Sequence, residues 1–189
     1  MAGRPLRNHR ESQQPPGNVT SHDPEEKRKS RLKYGLLKKE WEKAMREINS
    51  KETWMLYECL EVLAEHHNKV SVHFKGRYPL TSSEQKIKQF EHELEQGKSR
   101  IAVAEKADKV IGFCKINTDA DTGVLEYLVV LDRERGKGYG AAFMNWALNT
   151  FRELGIKDID VKVVYGNEAI RFYQKYGFRE RSVILTLNS

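Results

Sequence analysis

The sequence predicts an α/β fold of the mixed α+β kind: one mixed sheet with helices on both faces. Three observations carry that expectation. Two short apolar segments, 101–104 and 110–116, flank a turn at Ala107-Asp108-Lys109 and read as a β-hairpin. Beyond the hairpin, strand-like and helix-like segments alternate, which is how a chain adds strands while covering both faces of a sheet. At 189 residues, 39% hydrophobic and 32% charged, the chain suits one domain plus an appendage.

The elements follow in order. Residues 1–24 are polar, rich in Pro, Gln, Asn and Arg, and lack the apolar side chains that would offset the entropy of ordering, so disorder is expected. Over 25–43, Leu32, Leu36, Leu37 and Trp41 recur at helical spacing, an amphipathic helix that Gly35 weakens. Residues 1–43 thus form a basic extension and 44–189 the folded domain. A short strand is expected at 45–48. Asn49-Ser50 then caps a helix carrying Trp54, Leu56, Tyr57, Leu60, Leu63 and Ala64 and running to about Glu65. A loop holding His66, His67, Asn68, His73, Gly76, Arg77 and Pro79 follows. Ser82 or Ser83 caps a second helix with Ile87, Phe90 and Leu94, which Gly97 ends. After the hairpin and a turn at 119–123, residues 124–131 form an apolar strand interrupted only by Glu126. A long helix spans 138–154, a strand 159–165, a short helix 167–176 and a last strand 178–187.

Charge and cysteine usage narrow the function classes. The net charge is +6, and most of it lies in 1–43, where eleven Lys and Arg face six Asp and Glu; the rest of the chain is nearly neutral. No apolar run approaches the ~18 residues of a membrane helix, and no apolar stretch follows the basic residues at the N-terminus, so neither a membrane partner nor a secretory signal is expected. Cys59 and Cys114 then read as reduced, buried thiols of a cytoplasmic protein. Asn18-Val19-Thr20 has the glycosylation pattern by chance on this reading. His66-His67 and His73 have no nearby Cys or carboxylate spacing that completes a zinc set, and no metal is expected.

The segment Arg133-Glu134-Arg135-Gly136-Lys137-Gly138-Tyr139-Gly140-Ala141 joins an apolar strand to the long helix. Three glycines at alternate positions let backbone approach a ligand closely. The N–H groups of the helix start and the positive end of its dipole favour a phosphate, and Arg133, Arg135 and Lys137 add charge around it. The plain alternative is a turn that only caps a helix, for which one glycine suffices. The spacing fits neither a P-loop nor a dinucleotide fingerprint.

Arg135-x-x-Gly138-x-Gly140, with the strand Glu126-Tyr127-Leu128-Val129-Val130 before it and Asn167-x-x-x-x-Phe172-Tyr173-x-x-x-Gly177-Phe178 after it, resembles the signature of the GNAT superfamily of N-acetyltransferases. The resemblance spans about 44–189 and is most specific over 124–178. It implies a GNAT-like, mostly antiparallel mixed sheet and acetyl-CoA as cosubstrate. Its diphosphate would lie on Arg135, Gly136, Lys137, Gly138, Tyr139, Gly140 and Ala141. Its pantetheine arm would run along the backbone of Leu128, Val129 and Val130, in a V-shaped gap between that strand and 159–165, with Asn167 touching it.

Two residues are the catalytic candidates. Glu126 stands in an apolar strand, where burial would cost several kcal/mol without a partner and would raise its pKa toward neutrality, as suits a general base for an ammonium substrate. A solvent-reaching Glu that only binds a cation is the alternative. The resemblance implies that Tyr173 protonates the departing thiolate; the alternative is packing, since Ala169, Phe172, Tyr173 and Tyr176 share a helical spacing. Asn167 would also cap its helix. By family layout, 66–80 shapes the acceptor pocket, with His73, Phe74, Arg77 and Tyr78 near the substrate. The expected reaction is direct transfer to a primary amine of a small molecule or of a protein or peptide, since neither cysteine has a nucleophile's setting. The rival is a non-catalytic module that senses CoA or binds RNA through the basic extension; that extension lacks aromatic interleaving, so no nucleic-acid partner is expected. The last strand offers an edge through which two copies could pair as a homodimer.

Overall fold

The computed structural model describes Glu25, Trp41 and residues 44–118 and 122–186. Apart from Glu25 and Trp41, the expected disorder of 1–24 and helix of 25–43 lie outside the described residues, as do 119–121 of the expected turn.

The domain opens on β1 (Met45–Glu47), which pairs with the later strand β2 (Ser99–Lys106) from Met45↔Ala104 to Glu47↔Ala102. Asn49 then forms a capping box: its side chain accepts from Lys51 N at 3.0 Å while Glu52 Oε2 accepts from Asn49 N at 3.0 Å. The cap starts a 3₁₀ turn, Ser50–Leu56, that feeds α1 (Tyr57–Val70). This helix runs past Glu65 and takes His66, His67 and Asn68 out of the expected loop. The apolar periodicity fades there, yet no Gly or Pro stops the backbone before Gly76. The extra turn is anchored by Asn68, whose Nδ2 donates to Tyr78 O at 2.7 Å and whose Oδ1 accepts from Tyr78 N at 2.8 Å. Ser82 caps α2 (Ser83–Glu95) in a second capping box, with Gln85.

Strand β2 turns into β3 (Lys109–Asn117) through Ala107 and Asp108, with φ of 50° and 58°. Two left-handed residues in a two-residue loop match the twist of a hairpin. β3 pairs antiparallel with β4 (Thr122–Val130). The helix α3 (Tyr139–Glu153) follows, then β5 (Asp158–Val161), which lies parallel to β4, and α4 (Ala169–Gln174). The sheet order is β1-β2-β3-β4-β5, antiparallel except at its last pair.

Because side chains alternate across a strand, the sheet builds two cores. Ile101, Val103, Phe113 and Val129 face Leu56, Cys59, Leu60 and Phe90 of the first helical layer. Ala102, Cys114, Ile116, Leu125 and Val130 face Phe143, Met144, Ala147 and Phe151 of α3 and Tyr173 of α4. Helices thus cover both faces of a mixed, mostly antiparallel sheet, as the sequence predicts.

The last third departs from expectation. β5 stops at Val161 instead of reaching Tyr165, and α4 spans Ala169–Gln174 rather than 167–176. Residues 178–186 form no strand. Their β-type apolar pattern leaves Val183, Ile184 and Leu185 at 83%, 74% and 90% exposure, because the ladder ends at β5. Arg181 ties this segment to Asp160 of β5 at 3.0 Å.

Candidate active site

The site begins where β4 and β5 part. Their ladder runs from Thr122↔Asp158 to Leu125↔Val161 and stops, while β4 continues along β3 to Gly112↔Val130. From Glu126 to Val130 the β5-facing edge of β4 therefore has no ladder partner. Leu128, Val129 and Val130, expected to face a pantetheine arm, lie on that stretch.

Glu126 sits at the branch point. Lys115 of β3 faces Tyr127 and Ile116 faces Leu125, so Glu126 is the extra residue of a β-bulge. A bulge re-aims a side chain, and this one turns Glu126 toward Lys115. The Lys115 ammonium is fully buried and lies between two carboxylates: Glu126, and Glu93 of α2 at 2.6 Å. The Phe90 ring lies 4.9 Å from the same ammonium. Burial pushes the Glu93 carboxyl up, but the Lys115 ammonium and a hydrogen bond from Gln89 together outweigh it and hold Glu93 below its ordinary range. The expected burial of Glu126 is corrected: its side chain keeps 27% of its exposure because the bulge lifts it out of the strand. Two carboxylates around one ammonium leave the cluster with a net negative charge, matched to a cationic ligand. Sequence reading missed Lys115 and Glu93. A lysine inside the apolar run 110–116, one strand away from the lone acid of 124–131, was the available signal.

The glycine turn lies at the other end of the unpaired edge. A 3₁₀ turn, Asp132–Glu134, leads to Arg135 and then to Gly136 and Gly138, whose φ values of 74° and 97° are left-handed. Gly138 is the N-cap of α3, and the first helical bond runs from Ala142 N to Gly138 O at 3.0 Å. A helix start has no i−4 carbonyl for its first N–H groups, and left-handed glycines beside it are the backbone type from which anion nests are built. Gly140 has no positive φ, and a Cβ there would touch only Phe172 and Leu128 at 3.7–3.9 Å. The cations are more committed than the sequence suggests. Arg135 bonds Val130 O at 3.1 Å and Asp132 at 3.0 Å, Lys137 meets Glu134 at 3.0 Å, and Arg133 lies 3.7 Å from Glu58. The hydrogen bond from Lys137 holds the Glu134 carboxyl below its ordinary range against the opposing effect of burial, and Lys106 helps. Charge around the turn is nearly balanced, so its preference for an anion rests on N–H groups and the helix dipole.

Gly138→Ala should cost at least the ~1–3 kcal/mol of a non-glycine residue held in a strained backbone conformation in a urea melt, with displacement of the Trp41 ring added to it, while Gly140→Ala should leave the melt unchanged or raise it. Equal loss from the two substitutions would contradict this account of the turn.

Tyr173 is buried, edge-on to Phe172 and Phe178 with ring centroids 5.5 and 5.9 Å away. Burial, with a smaller contribution from Cys114, pushes its phenol up to about 12, so it is protonated at neutral pH. Cys114 stands opposite Leu128, which puts Tyr173 beside that row of the sheet. Asn167 Oδ1 accepts from Ala169 N at 2.9 Å, the expected cap made one residue ahead of the helix's formal N-cap. The His66 imidazole is pushed down by burial and then by Arg135, with Asn167 acting the other way. His66 thus lies on α1, not in a surface loop. His67 lies edge-on to Tyr78 at 5.1 Å and is pushed down to about 4, chiefly by burial. His73 stacks on Tyr165 at 5.6 Å, and Val72 N reaches Tyr165 O at 3.4 Å, so the 71–79 loop closes against the segment after β5. Phe74 and Arg77 belong to the turn of that loop. Among the described residues no group of three or more His, Cys, Asp or Glu could hold a metal, and no helix is long and apolar enough to cross a membrane.

This architecture, a mixed sheet that parts beside a glycine turn at a helix start, is that of an α/β domain with helices on both faces. The acetyltransferase (GNAT) family model matches residues 67–178, more than half of the sequence, and the chain belongs to that family. Solved structures agree on the fold. A predicted acetyltransferase with acetyl-CoA from Clostridium acetobutylicum superposes with a TM-score of 0.60 at 17% identity, over 76% of this chain and 94% of that one. A PaiA N-acetyltransferase from Thermoplasma acidophilum in complex with coenzyme A gives 0.60 at 16% identity, over 74% and 91%. An acetyltransferase of the GNAT family from Staphylococcus aureus gives 0.59 at 17%, over 73% and 85%. A search of curated protein sequences finds no match.

Proposed function

We propose that this chain is a cytoplasmic N-acetyltransferase that moves the acetyl group of acetyl-CoA directly to a primary amine within a ternary complex. One observation carries the reading: an unpaired strand edge runs from a partly exposed carboxylate, Glu126, to two left-handed glycines at the start of α3. Membership in the acetyltransferase family and the CoA ligands of the Clostridium and Thermoplasma structures support it. On this reading the turn from Arg135 to Ala141 takes the diphosphate, the edge at Leu128, Val129 and Val130 takes the pantetheine amides, and Asn167 lies alongside.

The acceptor enters on the negative Glu93–Lys115–Glu126 cluster as an ammonium. Glu126 takes its proton, directly or through water. The amine nitrogen attacks the thioester carbonyl, backbone N–H groups of β4 steady the oxyanion, and the C–S bond breaks. Tyr173 gives its proton to the departing thiolate, which leaves as free CoA; the second proton that the nitrogen sheds as the amide forms passes through solvent to the Tyr173 phenolate, and Glu126 returns its own to solvent.

A covalent acetyl-cysteine plays no part in this scheme. Cys59 is buried with its thiol pushed up to about 12, mainly by burial, and Cys114 is pushed up further by burial alone. Thiolates are the nucleophilic form. Intact mass after incubation with acetyl-CoA alone should therefore show no added acetyl group. An acetyl adduct on either cysteine, or ping-pong kinetics in place of intersecting lines, would refute direct transfer.

The deciding experiment is calorimetry with CoA, followed by free-thiol release from acetyl-CoA against amines, aminoglycosides, polyamines, amino acids and peptides. Turnover with one amine class supports the reading; a folded protein that takes up no CoA ends it. Salt-dependent RNA binding without turnover would instead favour the binding module built on 1–43.

A further inference from the structure

Trp41 precedes the folded domain in sequence, yet it ends up against the glycine turn. Its indole Nε1–H donates to Lys137 O at 3.0 Å, and the residue is 7% exposed. Its six-membered ring lies so close to Gly138 that an added Cβ would overlap it. The absence of a side chain at Gly138 therefore serves two ends: the left-handed φ of 97° and the seat of this ring.

The bond's geometry has a consequence for the anion nest. A trans peptide unit is planar, so the Lys137 carbonyl and the Gly138 N–H point in opposite directions. An indole holding that carbonyl from one side fixes the Gly138 N–H toward the other. It also satisfies a carbonyl oxygen whose negative end would otherwise be free to turn toward a bound phosphate. A glycine turn has more freedom than other backbone, and a peptide flip there would replace a donor with an acceptor. The carboxylates near the turn pair with its lysine and arginine side chains, whereas Trp41 acts on the backbone that binds.

We infer that Trp41 is a positioning residue for the diphosphate-binding turn, bracing the Lys137–Gly138 peptide from behind so that its N–H faces the ligand. This rests on the acetyl-CoA reading proposed above. It assigns part of cofactor affinity to the segment preceding the domain.

The test uses the full-length chain and Trp41→Phe, which keeps an aromatic ring at the position but removes the donor together with the benzo ring that lies over Gly138, so the comparison between thioesters, not the affinity alone, carries the reading. The loss of one hydrogen bond corresponds to about threefold to tenfold in affinity. Calorimetry should show CoA binding weakened by that factor, and kcat/KM for acetyl-CoA should fall with it while kcat at saturation is unchanged. S-acetylpantetheine, which lacks the diphosphate, should be turned over with the same kcat/KM by both proteins. Trp41→Ala should weaken CoA binding further, and an unchanged urea midpoint for Trp41→Phe will separate positioning from folding. Unchanged CoA affinity in Trp41→Phe would overturn the inference, as would an equal loss with both thioesters or a lowered midpoint that accounts for the effect. Those results leave acetyl-CoA use standing, provided the wild type binds CoA. A wild type that binds none removes both.

Discussion

Glu126→Gln is expected to slow turnover about a hundredfold near pH 7, the lower end of what a positioned general base supplies, while CoA affinity in calorimetry stays unchanged. The two effects separate because Glu126 lies at the branch of β4 and β5, at the opposite end of the unpaired edge from the glycine turn. Glutamine keeps the size and a hydrogen bond to Lys115 but accepts no proton. The deficit should shrink as pH rises toward the ~10 of a free alkylamine, since the acceptor then arrives already deprotonated. Free-thiol release measured from pH 6 to 10 checks this. A Gln variant with wild-type kcat and raised acceptor KM would make Glu126 a binding residue only, and a deficit that holds constant to high pH would argue against proton removal.

Lys115→Met should lower stability by about 3 kcal/mol at pH 7 by urea melt. Removing one partner of a buried ion pair typically costs about 3–5 kcal/mol, and the low end applies because Glu93 and Glu126 keep 16% and 27% of their side-chain exposure. The sign of the pH dependence follows from Glu93. In the wild type its carboxyl is held below its ordinary value of 4.5, so it stabilises the fold above that value, and the contribution disappears as pH falls through the lowered one. In Lys115→Met the Lys115 charge that lowers it is gone; Gln89 still acts to lower it, but burial, the largest single cause, pushes it up, so Glu93 takes up a proton more readily and the penalty is relieved on acidification. The gap between variant and wild type should be widest at pH 7 and narrow toward pH 4.5. A gap independent of pH would mean that lost packing on Phe90, not orphaned charge, is the cause. Adding Glu93→Gln to Lys115→Met should recover part of the stability at pH 7.

Much of the fold and the outline of the candidate site could be read from local signals. The 101–116 hairpin, the capping residues Asn49 and Ser82, the apolar strand ending at Val130 and the helix after Gly138 all announce themselves within a few residues. So does the glycine turn, because left-handed backbone at a helix start demands that residue type. Element ends in the last third were misread where period alone had to decide. The 178–187 pattern has a strand's alternation, but a strand exists only with a ladder partner, and the sheet stops at β5.

Sequence alone determined which residue types could bind a diphosphate and which carboxylate stood out in the central strand, because those depend on local backbone and composition. Tertiary structure alone decided their settings. A one-residue bulge partly exposes Glu126, Lys115 and Glu93 come to it from another strand and a helix, and Trp41, 96 positions before Lys137, reaches the turn. Contacts between residues far apart in sequence leave no periodicity or spacing to read; only the packing of the sheet against its helices brings them together.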